Sequence, residues 1–141
     1  MSKGNSCENS LLLLIFNATT FGEIAENDTT GPAATLTVAL HTGDPGEAGT
    51  QLTNETAYTG YARVGVARNA GGWTVTGNSV SPTANIDFGE CTAAPGAALT
   101  HFSVGTGTGN FLLYSGTLTP NITMAVSVIP RVKTTSTITE D

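Results

Sequence analysis

The spacing of apolar residues changes near residue 32 of the chain. Before that point, residues 10–26 carry apolar side chains three and four positions apart, led by the run LLLLIF. This spacing predicts an amphipathic helix over residues 10–26, which the polar segment NDTTGP would end. After that point, apolar and polar residues alternate, which predicts short strands over residues 33–133. Residues 134–141 are predicted to form an extended C-terminal tail.

The strand pattern is clearest in TLTVALHT, where Leu36, Val38 and Leu40 are expected to point inward. Further alternating segments follow, with turn residues about every eight to twelve positions. This arrangement predicts an all-β fold, an antiparallel β-sandwich or jelly roll with one N-terminal α-helix. At 141 residues, the chain is expected to be a single domain over residues 1–141.

The apolar run in the first segment has two other interpretations, a signal peptide and a membrane span. A signal peptide needs about seven to fifteen apolar residues and a small-x-small cleavage site, and a span needs about twenty apolar residues. The run LLLLIF, preceded by Glu8, fits neither. A helix that is apolar on every side has to be enclosed, so it is expected to pack inside the domain or in an interface with another subunit.

Charge is scarce in this chain, since 11% of its residues are charged against about 25% in typical proteins. The net charge of −6 disfavours a nucleic-acid partner and an anionic membrane surface, because both need clustered lysine and arginine. A surface with few charges suits permanent assembly. Cys7 and Cys91 are expected to be free thiols, and a disulfide between them stays an alternative.

Patterns that carry chemistry are few. His101 and Ser103 share one face of a predicted strand, but the chain has no G-x-S-x-G turn to present a nucleophile. His41, Asp44 and Glu47 lie close together without the ligand spacing of a calcium loop. The GTGTG segment joins two predicted strands, so no helix follows it to bind a phosphate. We therefore expect no enzyme activity, no cofactor and no metal.

Two segments, ALHTGDPGEAGTQ and YTGYARV, resemble a family of small virion proteins of tailed bacteriophages that are often labelled tail fibre proteins. The resemblance extends to NSLLLLIFNATTFGEIAEN, THFSVGTGTGNFLLYSGTLTPNI and IPRVKTTSTITED, and so to nearly the whole chain. It implies a structural protein of the phage virion that is made in the cytoplasm of the bacterial host.

The repeats and heptads of a fibre shaft are not visible in the sequence. For a compact sandwich, the resemblance implies a capsid cement (decoration) protein on the capsid exterior. Such a protein clamps neighbouring subunits of the major capsid protein and associates with itself as a dimer or trimer. The alternative is a tail or tail-fibre-associated structural protein, in which loops 43–56 and 92–98 would contact a receptor or glycan.

Both roles require interfaces with other chains. The tail at residues 134–141 is expected to add a strand to a neighbouring subunit. Aromatic residues and arginine are enriched in interfaces, and apolar helix residues can pack there. The expected interface residues are Leu12, Phe16, Phe21, Tyr58, Tyr61, Arg63, Trp73 and Ile138.

Overall fold

The structure is a computed structural model that describes residues 5–20, 33–106 and 110–140. The chain groups into two compact units. Unit 1 comprises Met1–Thr35, Val66–Asn85 and Lys133–Asp141, and unit 2 comprises Leu36–Gly65 and Ile86–Val132. The elements in chain order are α1 (Asn5–Asn17), β1 (Thr35–His41), β2 (Val64–Ala67), β3 (Trp73–Thr76), β4 (Ser79–Pro82), β5 (Ile86–Asp87), β6 (Leu99–Gly105), β7 (Leu112–Ile122), β8 (Arg131–Val132) and β9 (Ile138–Thr139).

Helix α1 in unit 1 begins and ends earlier than predicted, at Asn5 and Asn17 rather than at residues 10 and 26. Its first turn holds Glu8, whose charge is favourable near the helix N-terminus. Ala18 has a φ of 54°, in the left-handed region where helices commonly stop. The two threonines after it are poor helix formers, which explains the early end. Residues 21–26, including Phe21, lie outside the described residues.

The C-terminal end of α1 is capped by a residue from a distant part of unit 1. The Arg68 guanidinium donates to the carbonyl oxygens of Leu14 and Ile15, each at 2.6 Å, and to that of Ala33 at 3.1 Å. The last carbonyls of a helix have no partner within the helix, and a positive charge there also complements the helix dipole. Arg68 therefore stabilises α1 and fixes the Ala33 segment beside it.

The apolar side of α1 is part of the core of unit 1. Leu12 and Phe16 have no exposed surface, and Trp73 at the start of β3 is 2% exposed. The rings of Phe16 and Trp73 meet edge to face, with centroids 4.7 Å apart. This contact supports the first alternative for the helix, packing inside the chain, over packing in an interface with another subunit.

The sheet of unit 1 has three antiparallel strands in the order β3-β4-β9. Its third strand comes from the predicted tail. Ile138 pairs with Val80, and the Glu140 amide donates to the Asn78 carbonyl at 2.9 Å. β9 of the tail therefore completes a sheet of its own chain, and the expectation that the tail also adds a strand to a neighbouring subunit stays a prediction.

The main sheet has four strands in the order β2-β1-β6-β7, and β5 pairs with β8 separately in unit 2. Leu36, Val38 and Leu40 of β1 are buried, as predicted. Ala39 and His41 are buried as well, although alternation placed them outward. A strand that is covered on both faces does not need a polar face. The alternation of residue types in β1 therefore gives the wrong exposure for Ala39 and His41.

The segment AYTGYARVGVAR, residues 57–68, alternates as a strand would, but only Val64–Ala67 forms one. The chain turns instead at Tyr58–Tyr61, where the Tyr61 amide donates to the Tyr58 carbonyl at 3.0 Å. Gly60 has a φ of 104°, and a Cβ there would lie 2.1 Å from the Glu90 carbonyl oxygen. A side chain at residue 60 would therefore clash with backbone, which makes glycine necessary.

The described residues confirm the predicted class, an all-β fold of antiparallel sheets with one N-terminal helix, consistent with a β-sandwich. The choice of a jelly roll stays a prediction, as does a single domain over residues 1–141. Cys91 is a free, buried thiol, as expected.

Candidate functional site

A buried polar network in unit 2 links β1, β6 and the loop at residues 43–56. His41 Nε2 lies 2.8 Å from Ser103 Oγ, and His41 Nδ1 lies 2.9 Å from the Thr53 carbonyl oxygen. A carbonyl oxygen only accepts, so Nδ1 carries the proton and the neutral ring accepts from Ser103 at Nε2. His41 thus joins two strands to the loop through both ring nitrogens.

Gln51 extends the network from the loop. Its Nε2 donates to the Thr37 carbonyl at 3.0 Å and to Ser103 Oγ at 3.3 Å, and its Oε1 accepts from Thr37 Oγ1 at 2.9 Å. Gln51 has no exposed surface. A Cβ on Gly105 would lie 2.4 Å from the Gln51 side chain. Glycine at residue 105 therefore makes the room in which the amide of Gln51 packs.

A second part of the network is a partly buried ion pair. Arg63 Nε and a terminal nitrogen donate to Glu55 Oε1 and Oε2, each at 2.7 Å. The Tyr61 hydroxyl donates to Glu55 Oε1 at 2.8 Å, and the guanidinium also reaches Asn110 Oδ1 at 2.8 Å. Burial alone would raise the pKa of Glu55, but the hydrogen bonds from Arg63 and Tyr61 outweigh it and lower that pKa. Glu55 is therefore a stable anion that holds the loop.

The His41–Ser103 pair has two of the groups of a hydrolytic triad, but its setting does not suit catalysis. Both side chains have no exposed surface, so a substrate cannot reach the hydroxyl in this conformation. A backbone carbonyl, rather than a carboxylate, orients the imidazole. The hydrogen bonds of His41 instead hold the loop against the sheet. His101, the predicted neighbour of Ser103, instead contacts Thr100 Oγ1 at 2.8 Å.

We expect the free energy of unfolding to fall as the pH is lowered from about 7 to about 5, because His41 then accepts a proton more readily in the unfolded chain. Burial is the main cause that lowers the pKa of His41 from 6.5, while Glu55 raises it and Arg63 and His101 lower it. A depressed histidine pKa gives stability that is present above 6.5 and lost below it. Urea unfolding at several pH values measures this loss.

The matched variants for this experiment are His41→Gln and His101→Gln. His41→Gln is expected to remove most of the decline over that pH range, whereas His101→Gln is expected to keep it. The prediction is wrong if the decline is the same in both variants.

Two large apolar side chains are exposed beside this network, one in the loop at residues 43–56 and one directly before β7. Leu52 is 62% exposed and Phe111 is 61% exposed. They follow two residues whose backbones are joined, since the Gln51 amide donates to the Asn110 carbonyl at 3.0 Å. We call Leu52 and Phe111 the exposed apolar pair. Exposed apolar side chains can contribute to a protein interaction surface when they form a contiguous patch.

A second exposed apolar region lies in the turn between β7 and β8, where Val126 is 57% and Ile129 is 53% exposed. Backbone hydrogen bonds fix this turn to Cys91, whose amide donates to Val128 at 2.9 Å and whose carbonyl accepts from Ser127 at 2.8 Å. Sequence reasoning missed all four exposed residues, because alternation alone does not show which apolar side chains the core leaves outside.

The predicted interface residues lie mostly in the interior. Leu12, Phe16 and Trp73 are core residues of unit 1, so their assignment to a surface for other chains is wrong. The same correction applies to Tyr58, which is 3% exposed in unit 2. Its hydroxyl donates to the Gly89 carbonyl at 2.8 Å, and burial raises the pKa of Tyr58 to about 12. A large aromatic residue serves a core and an interface equally well, so composition could not separate the two.

The other predicted interface residues are half-buried. Tyr61 stacks on Phe88 with ring centroids 6.2 Å apart, and Arg63 is held by Glu55. Ile138 lies in β9, paired with Val80. These residues build the chain's own structure, and what they contact beyond it stays a prediction. Phe21 lies outside the described residues.

The comparisons with known proteins identify the family. A family model described as podophage GP4 fiber I protein gp80 matches residues 4–139. The chain belongs to this family. It is therefore a structural protein of the phage virion, as the resemblance of its sequence predicted. The curated proteins compared with the chain include no match.

The described residues contain no cluster of three or more histidine, cysteine, aspartate or glutamate side chains that could bind a metal ion. No helix within residues 5–20, 33–106 and 110–140 combines the length and the apolar character needed to span a membrane.

Proposed function

We propose that the chain is a structural element of the phage tail fibre, without enzyme activity, and that its exposed apolar pair contacts a neighbouring virion protein. The observation that carries this proposal is the family match over residues 4–139, because the family is described as a fibre protein. Leu52 and Phe111 support the contact, since they are apolar, exposed and positioned by a buried network.

The helix and strands of the described residues are too short to build a fibre shaft. Shafts are long repetitive assemblies, whereas the longest helix of the described residues has 13 residues and the longest strand has 11. A tip or an adaptor of the fibre fits these dimensions. At a tip, the loops at residues 43–56 and 92–98 would be available for receptor or glycan contact.

A second candidate is a capsid cement protein on the capsid exterior that binds the major capsid protein. The low charge favours it, because a surface with little charge can pack against many identical neighbours. Attachment at many subunit joints would add the contributions of individually weak contacts.

We propose no nucleic-acid or membrane partner for either role. The chain has five basic residues and a net charge of −6. Arg63, Arg68 and Arg131 each bind oxygen atoms of the chain itself, which leaves them poorly placed to neutralise phosphates.

We expect purified virions to contain few copies of this chain relative to the major coat protein, as a fibre component would. Quantitative mass spectrometry of purified particles measures that ratio, and gold-labelled antibodies viewed by electron microscopy locate the chain at the tail. A ratio that approaches one, with label over the whole capsid, would contradict the fibre role and favour the cement role.

A further inference from the structure

The loop at residues 43–56 is held against the sheet mainly by polar contacts. Its one leucine, Leu52, is 62% exposed. Of its buried residues, Gln51 and Thr56 are polar, and Pro45 has a small side chain. Segments that bury few apolar side chains open at a lower free-energy cost than the domain around them. We therefore expect this loop to separate from the sheet more readily than unit 2 unfolds.

His41, the last residue of β1, makes the contact of this loop that is sensitive to protonation. Its Nδ1 donates to the Thr53 carbonyl at 2.9 Å, and its Nε2 accepts from the Ser103 hydroxyl at 2.8 Å. Ser103 Oγ also accepts from Gln51 Nε2 at 3.3 Å. A second proton on the ring would make Nε2 a donor, and Ser103 would have to reverse its hydrogen bond with His41. The closed loop therefore fits a neutral imidazole.

The carboxylates that could compensate a charged ring belong to the loop itself. Glu55 favours a charge on His41, but Arg63 and the Tyr61 hydroxyl already bind this carboxylate. Asp44 and Glu47 are exposed to solvent. A paired carboxylate and two solvated ones stabilise an added positive charge only weakly.

The other surroundings of His41 oppose a charge on it. Arg63 carries a positive charge, and His101 lies opposite His41 in β6. β1, β2 and β7 hold no other charged side chain, and Tyr114 is their only further titratable group. Burial has the largest effect, and the pKa of His41 is lowered from 6.5.

We propose that the loop at residues 43–56 is a pH-sensitive element that opens locally when His41 accepts a proton. Opening moves Thr53 and Gln51 away from the ring, so water can solvate the charge that burial disfavours. It also moves Leu52, so a contact through the exposed apolar pair would weaken as the pH falls. The opening itself depends neither on that contact nor on the position of the chain in the virion.

The expected size of the effect follows from proton binding. The open loop binds more protons at low pH, which favours it there. With an ordinary His41 pKa of about 6.5 in the open state, the open population rises about tenfold between pH 7.5 and pH 5.5. Glu55 contributes little in this range, because its pKa is lowered from 4.5 and the carboxylate stays charged.

Native-state amide hydrogen exchange of the full chain, at both pH values and at several urea concentrations below the unfolding transition, tests the proposal. The Thr42 and Gln51 amides report on the loop, since they donate to the carbonyls of Asn54 and Asn110. Their protection, corrected for the intrinsic pH dependence of exchange, should fall about tenfold from pH 7.5 to pH 5.5. It should depend little on urea, because a local opening exposes little surface.

Two results on the unmodified chain would overturn the proposal. One is protection of the Thr42 and Gln51 amides that does not change with pH. The other is a urea dependence as steep as that of the slowest amides of β1 and β6, because the loop would then open only on global unfolding. His41→Gln should abolish the pH effect, and His101→Gln should keep it. Equal pH effects in the two variants would exclude His41 as the group that responds.

Discussion

Replacing Phe16 with aspartate is expected to unfold unit 1. Phe16 has no exposed surface and packs edge to face on Trp73. Removal of a buried phenylalanine side chain costs about 3–5 kcal/mol, and burial of an unpaired carboxylate adds several more. A typical domain has a total stability of about 5–15 kcal/mol, so the loss takes most or all of it.

The single tryptophan of the chain makes this result easy to observe. Trp73 is buried against Phe16, so its fluorescence reports on unit 1 directly. In Phe16→Asp, the emission should shift to that of a solvated indole, and far-ultraviolet circular dichroism should lose amplitude.

Phe111→Asp is the control for this experiment, because it makes the same chemical change at a side chain that is 61% exposed. It is expected to change the free energy of unfolding by less than about 0.5 kcal/mol. A folded Phe16→Asp variant that is merely less associated in light scattering would contradict the structure. It would mean that α1 packs against another subunit, which was the second interpretation of the apolar run.

The sequence predicts α1 but not its limits. Leucines in a row indicate a helix wherever they lie, whereas the end at Asn17 depends on the left-handed conformation of Ala18 and on Arg68. Arg68 is 53 residues from Ile15 along the chain, and no local pattern relates the two. Local propensity therefore finds the element, and a long-range contact determines where it ends.

The polar network shows a similar limit. His41 and Ser103 are 62 residues apart, and their contact depends on the register in which His41 lies opposite His101. A shift of one residue would turn these side chains to the other face. The sequence shows that His101 and Ser103 share one face of a strand, because spacing within a strand is visible, but it does not show the cross-strand register that brings His41 to Ser103. Apolar alternation in β1 was sufficient for Leu36, Val38 and Leu40, which need no specific partner.

Replacing Arg63 with methionine is expected to lower the free energy of unfolding by about 2–3 kcal/mol. The change leaves Glu55 charged and 13% exposed, and among the described residues only the Tyr61 hydroxyl still donates a hydrogen bond to it. Loss of one partner of a fully buried ion pair costs about 3–5 kcal/mol, and the partial exposure of this pair lowers the cost. Equilibrium urea unfolding, followed by far-ultraviolet circular dichroism, measures the change.

Arg131→Met is the matched control, because Arg131 forms the same two-pronged contact with Asp87 at the surface. The side chains of that pair are 49% and 46% exposed, so water can replace the lost partner, and little change in stability is expected. Arg63→Met should also loosen the loop at residues 43–56, which increases amide exchange there, whereas Arg131→Met should not. Equal effects of the two variants on stability would contradict the prediction, because burial would then not set the strength of the Arg63–Glu55 pair.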